Sequence, residues 1–188
     1  MEIEGDNSVL YPIFMDLSGR RCVVVGGGAV ANRKARKLLQ ARAEVVVVSP
    51  EIQPEIESMA VEVHRRRYEE GDLEGAFLAF TATDSREVNS AVAREARLRD
   101  IPINVADKPS EGDFALPSTL RRGGLQVAVS TGGASPTLAQ RIRLELEEIF
   151  GYEWAGLVEE LERGRTDGVA PDTGLEEEVS RCLSRLRG

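Results

Sequence analysis

At 188 residues, with 41% hydrophobic, 30% charged and 5% aromatic side chains, the chain has the size and make-up of one soluble α/β domain with a small appendage. That length excludes two full enzymes. Its formal net charge of -8 argues against a general nucleic-acid binder, because phosphate contacts demand a basic face.

The acidity is uneven. Residues 151–188 hold five Arg against nine Asp and Glu, whereas residues 1–150 hold 19 basic and 23 acidic groups, so the main body is near balance and has room for an anion-binding cleft. The longest apolar run, Cys22 to Ala31, contains three glycines and falls far short of the roughly 18 to 20 residues a membrane helix needs. The start, Met1-Glu2-Ile3-Glu4-Gly5-Asp6, is acidic where a secretory leader is basic and then apolar. No membrane partner and a cytoplasmic location are expected. Cys22 and Cys182 lie far apart and read as reduced and structural; with a single His, the chain has no ordinary zinc ligand set, and no metal site is expected.

Along the chain, Cys22-Val23-Val24-Val25 is a continuous apolar strand, followed by glycines, a helix over Val30 to Ala41 and a second strand, Val45 to Val48. Continuous rather than alternating apolar strands joined by helices predict a parallel sheet covered on both faces. Further strands are expected at Val61–His64, Ala76–Phe80, Pro102–Val105 and Leu125–Val129. A helix capped by Asp84 or Ser85, with Asp84 the preferred cap, carries Val88, Ala91, Val92, Ala96 and Leu98 on one face and continues to Arg99. Ser135 and Pro136 read as the cap and first position of a helix reaching about Phe150. Helical spacing recurs over Tyr152–Arg163 and Leu175–Leu186, separated by a polar, glycine-bearing loop, Gly164 to Gly174. A boundary between domains is expected between Lys108 and Pro136.

Gly26-Gly27-Gly28-Ala29-Val30-Ala31 matches G-x-G-x-x-A directly after a strand and at the opening of a helix, the context in which this pattern binds a dinucleotide. Gly26 permits the tight turn, Gly28 lets backbone approach a pyrophosphate, and small Ala31 lets helix and strand pack closely; the helix N-terminus adds partial positive charge. After the second strand come Val48-Ser49-Pro50-Glu51. Ser49 can bind a ribose hydroxyl, Glu51 lies slightly late for that role, and no Arg directly follows to meet a 2′-phosphate, which favours NAD.

Open parallel sheets bind ligands beyond the carboxyl ends of their strands. Those ends include Thr81-Ala82-Thr83-Asp84 and Ala106-Asp107-Lys108-Pro109. Asp107 is the carboxylate that leaves a buried strand straight into the expected crevice; on residue type alone it also fits a loop cap. His64, beside Arg65-Arg66-Arg67, reads as a surface residue of an edge strand.

Taken in order, Gly26 to Lys34, Thr81-Ala82-Thr83-Asp84 with Asn89, Asn104-Val105-Ala106-Asp107, Phe114 to Ser118, and Ser130 to Ala139 with Ile142-Arg143 resemble the precorrin-2 dehydrogenase family of sirohaem biosynthesis over about Tyr11 to Phe150. The resemblance implies an α/β Rossmann-type parallel sheet followed by a dimerisation region and a small C-terminal helical domain. The corresponding boundaries are 1–113, 114–150 and 151–188. It implies NAD-dependent oxidation of precorrin-2, a tetrapyrrole, to sirohydrochlorin in a homodimer, with Asp107 as the catalytic residue. Some members of the family also insert ferrous iron as a second substrate, a point the sequence leaves open.

The NAD site implied comprises Gly26, Gly27, Gly28, Ala29, Val30, Ala31, Ser49, Pro50, Thr81, Ala82, Thr83, Asn104 and Val105. The substrate site implied comprises Arg33, Lys34, Lys108, Ser130, Thr131, Gly132, Gly133 and Ser135, and Arg121, Arg122 and Arg141 are further basic groups able to meet substrate carboxylates. Many relatives of this kind are fused to a methyltransferase, for which the 38 residues after Phe150 are too few, so a stand-alone form is expected. Two other readings stay open. One is a nucleotide-sensing module, which needs neither Asp107 nor the Gly132–Pro136 turn, and the other is a chelatase with a vestigial NAD site.

Overall fold

Runs of β-branched valine set the middle of the molecule's sheet, because a branched Cβ suits extended backbone and packs well on a pleated surface. A computed structural model of the chain describes residues 10–166 and 173–184. It divides into two compact units, Met1–Leu116 and Pro117–Gly188.

The first unit carries the five-stranded parallel sheet. β1 (Arg21–Val25), β2 (Glu44–Val48), β3 (Glu62–His64), β4 (Leu78–Thr81) and β5 (Ile103–Val105) lie in the order β3-β2-β1-β4-β5. All four pairings are parallel, with Val25 opposite both Val48 and Thr81, and Thr81 opposite Val105. Strand order reverses between β1 and β4, so the carboxyl ends of these two strands flank the switch point where such sheets bind ligands. Helix α1 (Ala29–Gln40) and the single turn α2 (Pro54–Glu57) lie on one face, where Ala31, Ala35, Leu38 and Ile56 pack against Val24, Val47 and Phe80. The other face packs Val23, Val25, Val46 and Val48 under α3 (Arg86–Leu98), through Val92, Ala93 and Ala96, with Leu73 completing the layer. At roughly 1.5–3 kcal/mol for each fully buried aliphatic side chain, this two-sided packing outweighs any local propensity.

The second unit is built otherwise. β6 (Ser118–Arg122) and β7 (Leu125–Val129) form an antiparallel hairpin, in which Arg122 faces Leu125 across Gly123-Gly124. Helix α4 (Pro136–Ile149) covers the hairpin, followed by α5 (Glu153–Thr166) and α6 (Thr173–Ser184). Trp154, Leu157 and Cys182 make its small core, with Leu125, Phe150 and Val179 against them. Arg122 donates to the carbonyls of Phe150 and Glu147 at 2.8 and 3.3 Å, which satisfies the end of α4, and its guanidinium lies 4.8 Å from the Tyr152 ring.

Several expectations need correction. Ser85, not Asp84, caps α3, its hydroxyl accepting from Val88 N at 3.3 Å. β4 starts two residues later and ends one residue later than expected: Ala76 and Phe77 precede it and Thr81 belongs to it. The turn α2 and the strand β6 were not foreseen. Gly164 to Thr166 continue α5 instead of opening a loop, and α6 begins at Thr173; the intervening residues and Leu186 lie outside the described residues.

Candidate active site

The glycine turn is shaped by its neighbours. Gly26 has φ +130°, and a Cβ there would overlap the Ala82 carbonyl, so only glycine lets β1 turn this close to the end of β4. Gly27 is enclosed in the same way by the Glu51 carbonyl, and its own carbonyl accepts from Gln53 N at 2.9 Å. Gly28 differs. A Cβ there would meet nothing within 4 Å, and Gly28, Ala29 and Val30 are all exposed. Gly28 caps α1 without any side-chain bond, and the first turn holds no acidic residue. The first N–H groups of α1 therefore open onto free space beside small residues, which fits a dinucleotide pyrophosphate.

Because β1, β2, β4 and β5 run parallel, their following residues gather along one edge of the sheet: Gly26 to Gly28, Ser49, Ala82-Thr83 and Ala106-Asp107. Ser49 is buried and donates its N–H to the His64 carbonyl at 3.1 Å, while Pro50 is exposed. Thr81 and Val105 are buried within the sheet, and the Thr81 hydroxyl accepts from Ala106 N at 3.3 Å. Ala31 is buried at the helix–sheet contact. His64 is half-buried and pairs with Glu62 at 2.6 Å.

Asp107 is held by α3. Asn89 Nδ2 donates to its Oδ1 at 2.9 Å, and Arg86 Nη1 to its Oδ2 at 3.3 Å. Arg86 also pairs with Glu111, which receives Lys108 Nζ at 2.8 Å. Glu111 follows from the 3-10 turn Pro109–Glu111, and the bonds from Arg86 and then Lys108 hold its carboxyl down at about 2. Asp107 thus sits a third exposed, with its cationic neighbour already shared.

Lys34 is placed elsewhere than a surface cation would be. It is 7% exposed; its ammonium donates to Asn104 Oδ1 and lies 5.3 Å from the Phe80 ring centroid. Burial first, then repulsion by Arg33 and Lys37, lowers its pKa to about 8. Asn104 Nδ2 in turn donates to the Phe114 carbonyl at 2.9 Å, and Phe114 meets Phe80 edge-on at 5.5 Å. Arg33 and Lys108 stay exposed.

Ser130 to Ser135 belong to the second unit and form a compact turn of their own. Gly132 and Gly133 have φ +62° and +88°, Thr131 Oγ1 accepts from Ser135 N at 3.0 Å, and Ser135 Oγ caps α4 by accepting from Leu138 N at 3.1 Å. Arg121 and Arg141 are exposed, whereas Arg122 is committed to the end of α4.

Sequence reasoning missed Arg86 and left Asn89 without a role. No local signal marks Arg86, since an arginine in the first turn of a surface helix is ordinary; a buried asparagine inside an apolar helix pattern was the available clue for Asn89. Among the described residues no group of His, Cys, Asp and Glu is arranged to hold a metal ion, and no helix is long and apolar enough to cross a membrane.

Comparison with known proteins agrees with this geometry. An NAD(P)-binding family model matches residues 13–118, and the model of the sirohaem biosynthesis protein central region matches residues 122–149. The siroheme synthase of Methylobacillus flagellatus is 46% identical over 143 residues, covering 74% of this chain and 31% of that protein. The siroheme synthase of Thioalkalivibrio sulfidiphilus is 40% identical over 171 residues, covering 88% and 35%. The chain therefore spans about a third of the length of these curated relatives. A solved structure titled SirC, precorrin-2 dehydrogenase, superposes with a TM-score of 0.71 at 30% identity, covering 90% of this chain and 86% of that one. With an NAD(P)-binding unit, a sirohaem-biosynthesis central region and that solved relative matched along nearly its whole length, the chain belongs to the precorrin-2 dehydrogenase family.

Proposed function

We propose that this chain oxidises precorrin-2 to sirohydrochlorin, with NAD as acceptor and Asp107 as general base. The observation that carries the reading is the shared sheet edge: an open helix N-terminus after Gly28 and a carboxylate a third exposed on Asp107 both follow strands of one parallel sheet. The oxidation removes two electrons and two protons from the macrocycle. Bound NAD supplies the hydride acceptor, which accounts for both electrons and one proton. The remaining proton passes to an Asp107 carboxylate oxygen and from there to solvent.

Gly26, Gly27, Gly28 and the first turn of α1, Ala29 to Ala31, hold the pyrophosphate; Ser49 and Pro50 meet the adenosine ribose; the strand ends at Thr81 to Thr83 and Asn104-Val105 flank the ring that accepts hydride. Arg33 and Lys108, both exposed, are suited to the carboxylates of a tetrapyrrole. Lys34 is not carried into that set, because its ammonium is turned inward to Asn104. Copies of the chain pair through the exposed apolar positions of α4. The two buried free thiols, Cys22 and Cys182, suit a reducing cytoplasm.

The test is Asp107→Asn, which keeps shape and hydrogen-bonding reach but removes the proton acceptor. Turnover in an anaerobic assay with fresh precorrin-2 and NAD is expected to fall about 10²- to 10⁴-fold, with NAD affinity nearly unchanged. Normal turnover per folded molecule, with only the melting temperature lowered, makes Asp107 a loop brace. A parallel arm with ferrous iron, followed by the absorption spectrum, decides whether metal insertion accompanies the oxidation.

A further inference from the structure

Asn89 is fully buried in the second turn of α3, where an asparagine is disfavoured twice over: by its helix propensity and by the cost of taking an amide out of water. Its polar atoms are nevertheless satisfied. Nδ2 donates to the Thr83 carbonyl at 3.0 Å and to Asp107 Oδ1 at 2.9 Å, while Oδ1 accepts from the Thr83 hydroxyl at 2.8 Å. Turning the amide over would set its oxygen against a carbonyl and a carboxylate, so the partners fix its orientation. The Thr83 hydroxyl has one proton and two acceptors in range, the Ser85 carbonyl at 3.1 Å and Asn89; the Asn89 contact is the shorter. Thr83 also receives Ser85 N at 3.2 Å, which ties the amide to the cap of α3.

We propose that Asn89 is the positioning residue for Asp107, a buried amide that carries the end of β4 to the carboxylate after β5. The inference rests on the reading of Asp107 as general base. Asn89 fixes Oδ1 and Arg86 holds Oδ2, so the carboxylate cannot rotate to another rotamer without breaking two bonds. A carboxylate has about four lone-pair sites, so both oxygens keep one free to receive a proton. The charged groups facing Asp107 are Arg86 from α3, with Glu111 of the 3-10 turn and Lys108 just before that turn behind it. Arg86 is shared with Glu111, whereas the neutral amide commits one N–H to Asp107 and the other to the Thr83 carbonyl.

Asn89→Asp is nearly isosteric and still accepts from the Thr83 hydroxyl, but sets a second carboxylate against Asp107. Turnover is expected to fall at least about tenfold at pH 8, the acid limb of the kcat profile is expected to move about one pH unit upward, and NAD affinity is expected to stay within about twofold. With the acid limb raised, the deficit relative to wild type is expected to widen as the pH is lowered, whereas a packing defect would lower the rate equally across the profile. Should Asn89→Asp fail to fold, Asn89→Ser serves: it removes the donor to Asp107 Oδ1 without adding a charge, and its acid limb is expected to shift upward as well.

Asp107→Asn in the same assay separates the two ideas. Normal turnover there overturns the base reading and this inference with it. An inactive Asp107→Asn beside Asn89→Asp or Asn89→Ser proteins with unmoved profiles, whatever their melting temperatures, overturns the inference alone.

Discussion

The two units differ in the polar side chains they bury. Among the described residues every buried polar or charged side chain, Lys34, Ser49, Thr81, Asn89 and Glu95, belongs to the first unit. Among its described residues the second unit has none of these, and α4 leaves Leu138, Ile142, Leu144 and Ile149 between 38% and 50% exposed; the first unit too exposes apolar groups, at Tyr11, Ile13, Phe14 and Leu98. Burying a polar group is costly unless each bond lost to water is replaced, so such groups persist where the fold or the chemistry requires them. Glu95 shows the structural use, since it accepts from Tyr68, Gly71 N and Arg99 and pins the segment after β3 to α3. Asn89 and Lys34 sit instead behind the edge that holds the glycine turn and Asp107. Exposed apolar groups gathered on α4 are the basis of the proposed pairing of copies.

The comparison breaks if the sheet edge does not bind a dinucleotide. Gly28→Asp has room for its side chain, and aspartate is a better helix cap than glycine by a few tenths of a kcal/mol. Melting is therefore expected to stay level or rise slightly, while NAD affinity by calorimetry falls about 100-fold as a fixed negative charge meets the pyrophosphate. Unchanged affinity removes the cofactor from this turn. For the second unit, Ile142→Asp on the exposed face of α4 is expected to convert a dimer to the 20.5 kDa chain at micromolar concentration in light scattering. A wild-type protein already at that mass leaves the apolar face without the role proposed here.

How much of this could be read from the sequence follows the same division. The valine runs of β1 and β2 and the Gly26–Ala31 turn are local signals, and the sheet formed where they stand. Ser135 and Pro136 likewise start α4 as their types require. β6 escaped notice because Ser118-Thr119-Leu120-Arg121-Arg122 buries only Leu120; its strand character comes from pairing with β7, not from its own pattern. The shift of β4 has a similar cause. Phe77 looks like strand by type, but only its N–H joins the sheet, by donating to Arg21 O at 2.8 Å before the pairing with β1 begins. Asp107 was legible by its place after a buried strand, whereas Arg86, a contact made across 21 residues, was not. Lys34 was misplaced for the same reason. Residue type assigns lysine to water, and only its contacts with Asn104 of β5 and the Phe80 ring of β4 show that it turns inward.

Lys34 also gives the smallest and sharpest test of the contrast. Among the described residues its ammonium meets Asn104 and the Phe80 ring but forms an ion pair with no carboxylate, so burial is compensated only in part. Its pKa falls from 10.5 to about 8 on folding. Between those values the unfolded chain keeps a proton that the folded chain has shed, so unfolding takes up a proton and stability must rise with pH. Below about 8 both states are protonated and the penalty is constant. The Cys22 thiol works against this at higher pH: burial lifts it from 9.0 to about 11, so its contribution is lost as the unfolded thiol ionises. Comparing wild type with Lys34→Met cancels the thiol, and methionine keeps the length of the chain. From pH 8 to 9 the wild type is expected to gain on the variant with a slope approaching about 1.4 kcal/mol per pH unit, measured by urea unfolding. The lost bond to Asn104 lowers the variant's whole curve without altering that slope. Parallel curves over this interval would mean that Lys34 reaches water in solution, and that the first unit buries one charge fewer than its structure displays.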